Sequence, residues 1–155
     1  MTNREIVEKL IEKNIVVATA ESCTGGMISS VITDVPGSSS IFGYGMVTYS
    51  NEAKTAILGV KEDTLKAFGA VSKETATEMA FGLKKVSGAD VAVSVTGIAG
   101  PGGGSVEKPV GLVYMGLAYG DDIFVKKNLF HGDRDEIRKQ TVNTALNFIA
   151  EKVGL

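Results

Sequence analysis

The chain has 155 residues, 44% of them hydrophobic, so it is one domain long and carries enough apolar surface for a single buried core. A net charge of -2 and a pI near 5.5 leave no run of Lys and Arg able to neutralise successive phosphates, which argues against nucleic acid as a partner. The single Cys23 has no disulfide mate, the Met-Thr-Asn-Arg-Glu start has no apolar run of signal-peptide length, and residues 110–119 are about half as long as the roughly 20 residues of a membrane helix; a cytoplasmic protein without a membrane segment is expected.

Thr2 and Glu5 have capping-box spacing ahead of Ile6, Val7, Leu10 and Ile11, which share one helical face, and Ile15 to Thr19 follows as a β-branched strand. Ala20-Glu21-Ser22-Cys23-Thr24-Gly25-Gly26 then separates this strand from a run in which Met27, Ile28, Val31 and Ile32 recur at helical spacing through about Thr33. A strand-to-helix turn of this kind brings the Ser22 hydroxyl and the free N-H groups of a helix start to one sheet edge. Residues 35–40 read as a polar loop. Ile41 to Tyr49 reads as a strand in which Gly43 and Gly45 signal a bulge or a close backbone approach.

Asn51 is the expected N-cap of a helix over 52–58, followed by helical runs over 61–68 and from Ser72 to about Val86. Val91, Val93 and Val95 mark a buried strand that runs into a long glycine loop, residues 96–105. Residues 110–119 and 122–129 read as two antiparallel strands joined at Gly120-Asp121. Asp133 and Glu136 form a second capping box, opening a last helix that buries Ile137, Thr141, Ala145, Leu146, Ile149 and Val153. These elements predict a single α/β domain over residues 1–155, a three-layer α/β/α sandwich with a mixed parallel and antiparallel sheet.

Lys54 breaks a local rule. With Asn51 as N-cap it takes the third helical position, where Glu or Gln is favoured and the helix dipole opposes a cation. The same dipole, with partial burial, would lower its pKa toward that of a general base; the plain alternative is a solvated surface lysine. Ser22 with Lys54 would form a Ser-Lys pair, Tyr49 would relay a proton or orient the lysine, and the amides of Cys23 to Gly26 would stabilise an oxyanion. The plain alternative for Ser22 is a helix cap. The lone His131 reads as a solvated loop imidazole, Cys23 as packing rather than nucleophile, and no ligand set for a metal is present. The glycine loop lacks the patterns for ATP or NAD, and Arg134 offers a cation for a phosphate or a surface ion pair.

Residues 18–26, Gly45 to Asn51 with Lys54, Val95 to Pro101 and Gly132-Asp133-Arg134 together resemble the C-terminal domain of the competence/damage-inducible protein CinA, in order and over essentially the whole chain. Stand-alone members of that family are nicotinamide-nucleotide amidases (PncC-type nicotinamide mononucleotide deamidases). The resemblance implies hydrolysis of the carboxamide of nicotinamide mononucleotide to nicotinate mononucleotide and ammonia, without metal or cofactor, by a homo-oligomer whose partner is a small pyridine nucleotide. It implies Ser22 as nucleophile, Lys54 as base and Tyr49 as catalytic partner, with Thr96 and Arg134 in the substrate site; Cys23, Thr24, Gly25, Gly26, Asn51 and Gly97 are the further candidate substrate-binding residues of the same stretches. The N-terminal molybdopterin-binding-like domain of longer members has no counterpart here, so its activities are not carried over. The competing readings are a non-catalytic nucleotide or phosphate-binding module, and a partner protein in competence or DNA-damage response.

Overall fold

Alternation along the central strands decides the architecture. In the computed structural model, which describes all residues 1–155, β3 (Val91–Gly97) sends Val91, Val93 and Val95 into one hydrophobic cluster and Ala92 into another on the opposite face. Strand β1 (Val17–Glu21) does the same with Val17 on the first face and Ala18 and Ala20 on the second. Period-2 side chains that are apolar on both faces require cover on both. Helices α1 (Asn3–Glu12), α2 (Met27–Thr33) and α6 (Arg134–Val153) cover the first face, while α3 (Asn51–Leu58), α4 (Glu62–Phe68) and α5 (Lys73–Ser87) cover the second.

The five-stranded sheet has the order β2-β1-β3-β4-β5. Strand β2 (Phe42–Val47) and β3 both run parallel to β1; β4 (Leu112–Tyr119) and β5 (Asp122–Leu129) complete the sheet as an antiparallel hairpin. The result is the expected mixed sheet between two helical layers. No helix is long and apolar enough to cross a membrane.

Both glycine signals in β2 have a cause. Val17 pairs with Phe42 and Ala18 with Tyr44, so Gly43 is the extra residue of a bulge. At Gly45 a Cβ would lie 2.6 Å from Ser29 Oγ and 2.8 Å from the Phe42 ring. The strand therefore approaches α2 more closely than any side chain permits.

The second helical layer is seated in the same way. A Cβ on Gly82 would lie 1.8 Å from the Leu58 carbonyl oxygen, and one on Gly116 would lie 2.3 Å from the Ala76 oxygen. Helix α5 is thus drawn against the end of α3 and against β4, and the Ser94 hydroxyl donates to the Ala76 carbonyl at 2.7 Å.

The boundaries differ from the sequence reading where local hydrogen bonding overrides propensity. Strand β1 starts at Val17, two residues later than expected, because Ile15 N-H still closes α1 onto Leu10 and Val16 N-H donates to Asp90. Strand β4 starts at Leu112 rather than Val110, since Gly111 turns the chain at φ +95° with its Cα packed under the Phe130 carbonyl. Part of the expected loop, Ser38–Ser40, is a single 3-10 turn. The N-cap of α3 is Ser50, not Asn51: the Ser50 hydroxyl accepts from Ala53 N-H at 3.0 Å, and Asn51 is the first helical residue. Both capping boxes, Thr2 with Glu5 and Asp133 with Glu136, are formed.

Candidate active site

Ser22 directly follows β1, and its N-H donates to the Val95 carbonyl at 3.1 Å, which fixes it at the carboxyl edge between β1 and β3. From β1 the chain crosses to β2 on one side and returns to β3 on the other. Beyond the strand ends at such a reversal is where open α/β sheets bind ligands.

Lys54 reaches this edge from the first turns of α3. With Ser50 as N-cap it is the fourth helical residue, and its side chain turns inward to 1% exposure. Its Nζ lies 2.9 Å from Ser22 Oγ, 2.8 Å from the Thr48 carbonyl and 3.3 Å from the Tyr49 carbonyl. No carboxylate pairs with it. Burial lowers its pKa from the usual 10.5 to about 8, against a small opposing effect of Cys23. A neutral amine has two N-H donors and one lone pair; two carbonyls and one hydroxyl surround it. The carbonyls take the donors, and the lone pair is left for the Ser22 proton.

The turn that carries Ser22 is organised differently from the sequence expectation. Glu21, wholly buried, accepts from Thr24 Oγ1 (2.6 Å), Ile28 N-H (2.8 Å), Ser29 N-H (3.0 Å) and Ser29 Oγ (2.7 Å). The positive end of α2 is thereby neutralised from within the protein, so its first amides are not donors for a ligand. Gly25 N-H donates to the Ser22 carbonyl at 3.1 Å, while the amides of Cys23, Thr24 and Gly26 have no protein acceptor; Cys23 and Thr24 are buried and Gly26 is half-buried. Ser22 caps no helix: the residue before α2 is Gly26, at φ +106°. Cys23 is 6% exposed within the larger cluster, and burial pushes its thiol up to about 11, so it is a protonated packing group.

The remaining sequence-predicted residues divide into two groups. Tyr49 touches the lysine through its main-chain carbonyl, while its exposed ring turns outward and its hydroxyl accepts from Arg134 Nη2 at 3.3 Å. Arg134 Nη1 donates to the Gly100 carbonyl at 2.7 Å, tying the glycine loop to the start of α6. Ser22, Lys54, Tyr49 and Arg134 thus form one connected chain of contacts. Thr96 is buried and donates to the Ala70 carbonyl at 2.9 Å, and Gly97 is packed where a Cβ would meet Val113 and the Leu112 carbonyl. Asn51 makes no side-chain hydrogen bond and borders a groove between α3 and α4. His131 lies exposed in the loop before α6.

Three residues of the site had no role in the sequence reading. Glu21 was signalled only by being acidic at the end of a buried strand. Thr48 acts through its carbonyl, which no side-chain motif reveals. Arg138 donates from Nε to the Cys23 carbonyl (3.2 Å) and from Nη2 to the Thr24 carbonyl (3.0 Å); its signal is the i,i+4 spacing from Arg134, which puts both arginines on one face of α6.

The family model described as the CinA C-terminal domain matches residues 1–153. The chain belongs to the CinA C-terminal domain family. A relative from Thermoanaerobacter sp. (strain X514), described as competence-damage inducible, is 53% identical over 146 residues, which is 94% of this chain and 35% of that protein. One from Alkaliphilus metalliredigens (strain QYMF) with the same description is 52% identical over 154 residues, 99% of this chain and 38% of that protein. The chain spans little more than a third of these curated relatives.

Solved structures match it over nearly their whole length. The competence/damage inducible protein CihA from Agrobacterium tumefaciens superposes with a TM-score of 0.93 at 46% identity, covering 96% of this chain and 92% of that one. The competence damage-inducible protein A (ComA) from Klebsiella pneumoniae superposes with a TM-score of 0.94 at 32% identity, covering 99% and 98%. The five-stranded mixed sheet with helices on both faces is therefore the fold of the CinA C-terminal domain.

Proposed function

We propose that the chain is a nicotinamide-nucleotide amidase, converting nicotinamide mononucleotide to nicotinate mononucleotide and ammonia through a Ser22 acyl-enzyme. The observation that carries this reading is the buried Lys54 amine 2.9 Å from Ser22 Oγ, its two other contacts being carbonyls. Such a lysine, in its neutral form, is a base for one partner only. It takes the Ser22 proton as Oγ bonds to the carboxamide carbon, whose electrophilicity the pyridinium ring raises. The tetrahedral oxyanion draws on the turn amides that have no acceptor in the protein, those of Cys23, Thr24 and Gly26. Collapse breaks the C-N bond, and the Lys54 proton leaves with the nitrogen as ammonia. Water, deprotonated by the same amine, then hydrolyses the ester and restores Ser22.

Arg134 supports a nucleotide substrate. It stands beside Tyr49, at the rim of the same edge, and a guanidinium suits a phosphate. The site acts without a metal or cofactor, on a small pyridine nucleotide, in a homo-oligomer.

The test is nicotinate mononucleotide formation, identified by mass, together with ammonia release. Wild type is expected to turn over in the presence of EDTA. Ser22→Ala is expected to lose roughly 10⁴-fold or more in kcat while retaining ligand affinity. Loss of affinity with the hydroxyl would favour a phosphate-binding module instead, and an inactive, well-folded wild type would end the amidase reading.

A further inference from the structure

The peptide planes after Ser22 are held by few main-chain bonds: Gly25 N-H donates to the Ser22 carbonyl and Met27 N-H to the Thr24 carbonyl, each at 3.1 Å, and the Cys23 carbonyl has no main-chain donor. Gly25 (φ +58°) and Gly26 (φ +106°) follow one another in left-handed conformations, and without side chains such residues rotate at low cost. A nucleophile needs a fixed direction, since a displacement of about 1 Å lowers rate by roughly 10²-fold. Two charged side chains supply the restraint from opposite sides. On the inner side Glu21 gathers the Thr24 hydroxyl and the first amides of α2. On the outer side Arg138 projects from the 20-residue helix α6 and donates to the adjacent carbonyls of Cys23 and Thr24.

We infer that Arg138 is a positioning residue of the amidase site, fixing the two peptide planes that carry the Cys23 and Thr24 carbonyls and so the turn on which the Ser22 hydroxyl and the turn amides are set. Because a trans peptide carries its C=O and N-H antiparallel, holding the Cys23 and Thr24 oxygens toward α6 points the Thr24 and Gly25 amides away from it. The Gly25 amide accordingly reaches back to the Ser22 carbonyl at 3.1 Å. Arginine suits this role better than lysine, because a guanidinium fork meets two neighbouring carbonyls at once from Nε and Nη2, whereas an ammonium is a single point donor. Arg138 also needs no exposed surface for this, being half-buried against the turn. The role rests on the amidase reading for its catalytic consequence, but the restraint on the turn is measurable without substrate.

The experiment compares wild type, Arg138→Ala and Arg138→Lys by steady-state kinetics on nicotinamide mononucleotide, thermal melting, and amide hydrogen exchange at Thr24 and Gly25. Arg138→Ala is expected to lower kcat by roughly 10²-fold, leave KM within about threefold, and keep the pH midpoint set by Lys54. Its Thr24 and Gly25 amides exchange faster than in wild type, and millimolar methylguanidine restores part of the rate. Arg138→Lys falls between the two and carries the comparison if the alanine variant does not fold. Unchanged exchange at Thr24 and Gly25 overturns the inference, as does a raised KM with kcat retained, which would make Arg138 a substrate contact. A wild type that is inactive on nicotinamide mononucleotide refutes the amidase reading alone, and the exchange measurement still decides the restraint.

Discussion

In the proposed amidase the depressed pKa of Lys54 links catalysis to folding, and the link has a definite sign. Burial lowers the pKa from 10.5 to about 8 in the folded chain. Below pH 8 both states hold the proton and the penalty for a buried ammonium is fully present. Between pH 8 and 10.5 the unfolded state binds the proton and the folded state does not, so stability rises with pH across this window. A shift of 2.5 units corresponds to about 3 kcal/mol in total, and the 1% exposure of the residue leaves little solvent screening to reduce it. The assay is urea unfolding of wild type and Lys54→Met at pH 7, 8, 9 and 10. Wild type is expected to gain on the variant by an amount approaching 3 kcal/mol as pH rises. The same proton governs rate: the neutral fraction goes from about 9% at pH 7 to about 91% at pH 9, so kcat/KM should climb about tenfold over that interval. A stability difference that does not change with pH would show that the lysine is solvated, and the base assignment would fall with it.

Two further outcomes test the surroundings. Cys23, with its thiol pushed up to about 11 inside the larger cluster, should resist iodoacetamide at pH 8 in the native protein and react readily in urea; rapid stoichiometric labelling of folded protein would contradict its burial. Thr48 is fully buried and its hydroxyl has no hydrogen-bond partner, so Thr48→Val should stabilise the fold by on the order of 1 kcal/mol in urea unfolding. Because Lys54 is held by the Thr48 carbonyl and not by its hydroxyl, the pH midpoint of activity should stay where it is.

The elements of the fold were legible because their signals are local. Capping boxes at Thr2 and Asp133 need only residues three apart, and the alternation of Val91, Val93 and Val95 needs only one strand. Boundaries failed where a distant group competed for the backbone, as Asp90 does for Val16 and Phe130 for Gly111. In the site, Lys54 was visible as a rule broken at a helix start, although the cap that defined the rule proved to be Ser50. What was not visible was who satisfies whom. The helix start at α2 looked like a free anion site, yet its amides belong to Glu21, the acidic residue just before the turn. Arg138 contacts residues more than a hundred positions away, and only the folded chain brings α6 over the turn.

The seat of Lys54 is built from main-chain carbonyls, at Thr48 and Tyr49, and every amino acid supplies one. Substitution at position 49 therefore leaves the base in place while changing a ring that is 61% exposed at the rim. In the proposed amidase, proton chemistry and substrate choice are therefore separable, so descendants of one sequence can exchange the rim for a different substrate without first rebuilding the reaction centre.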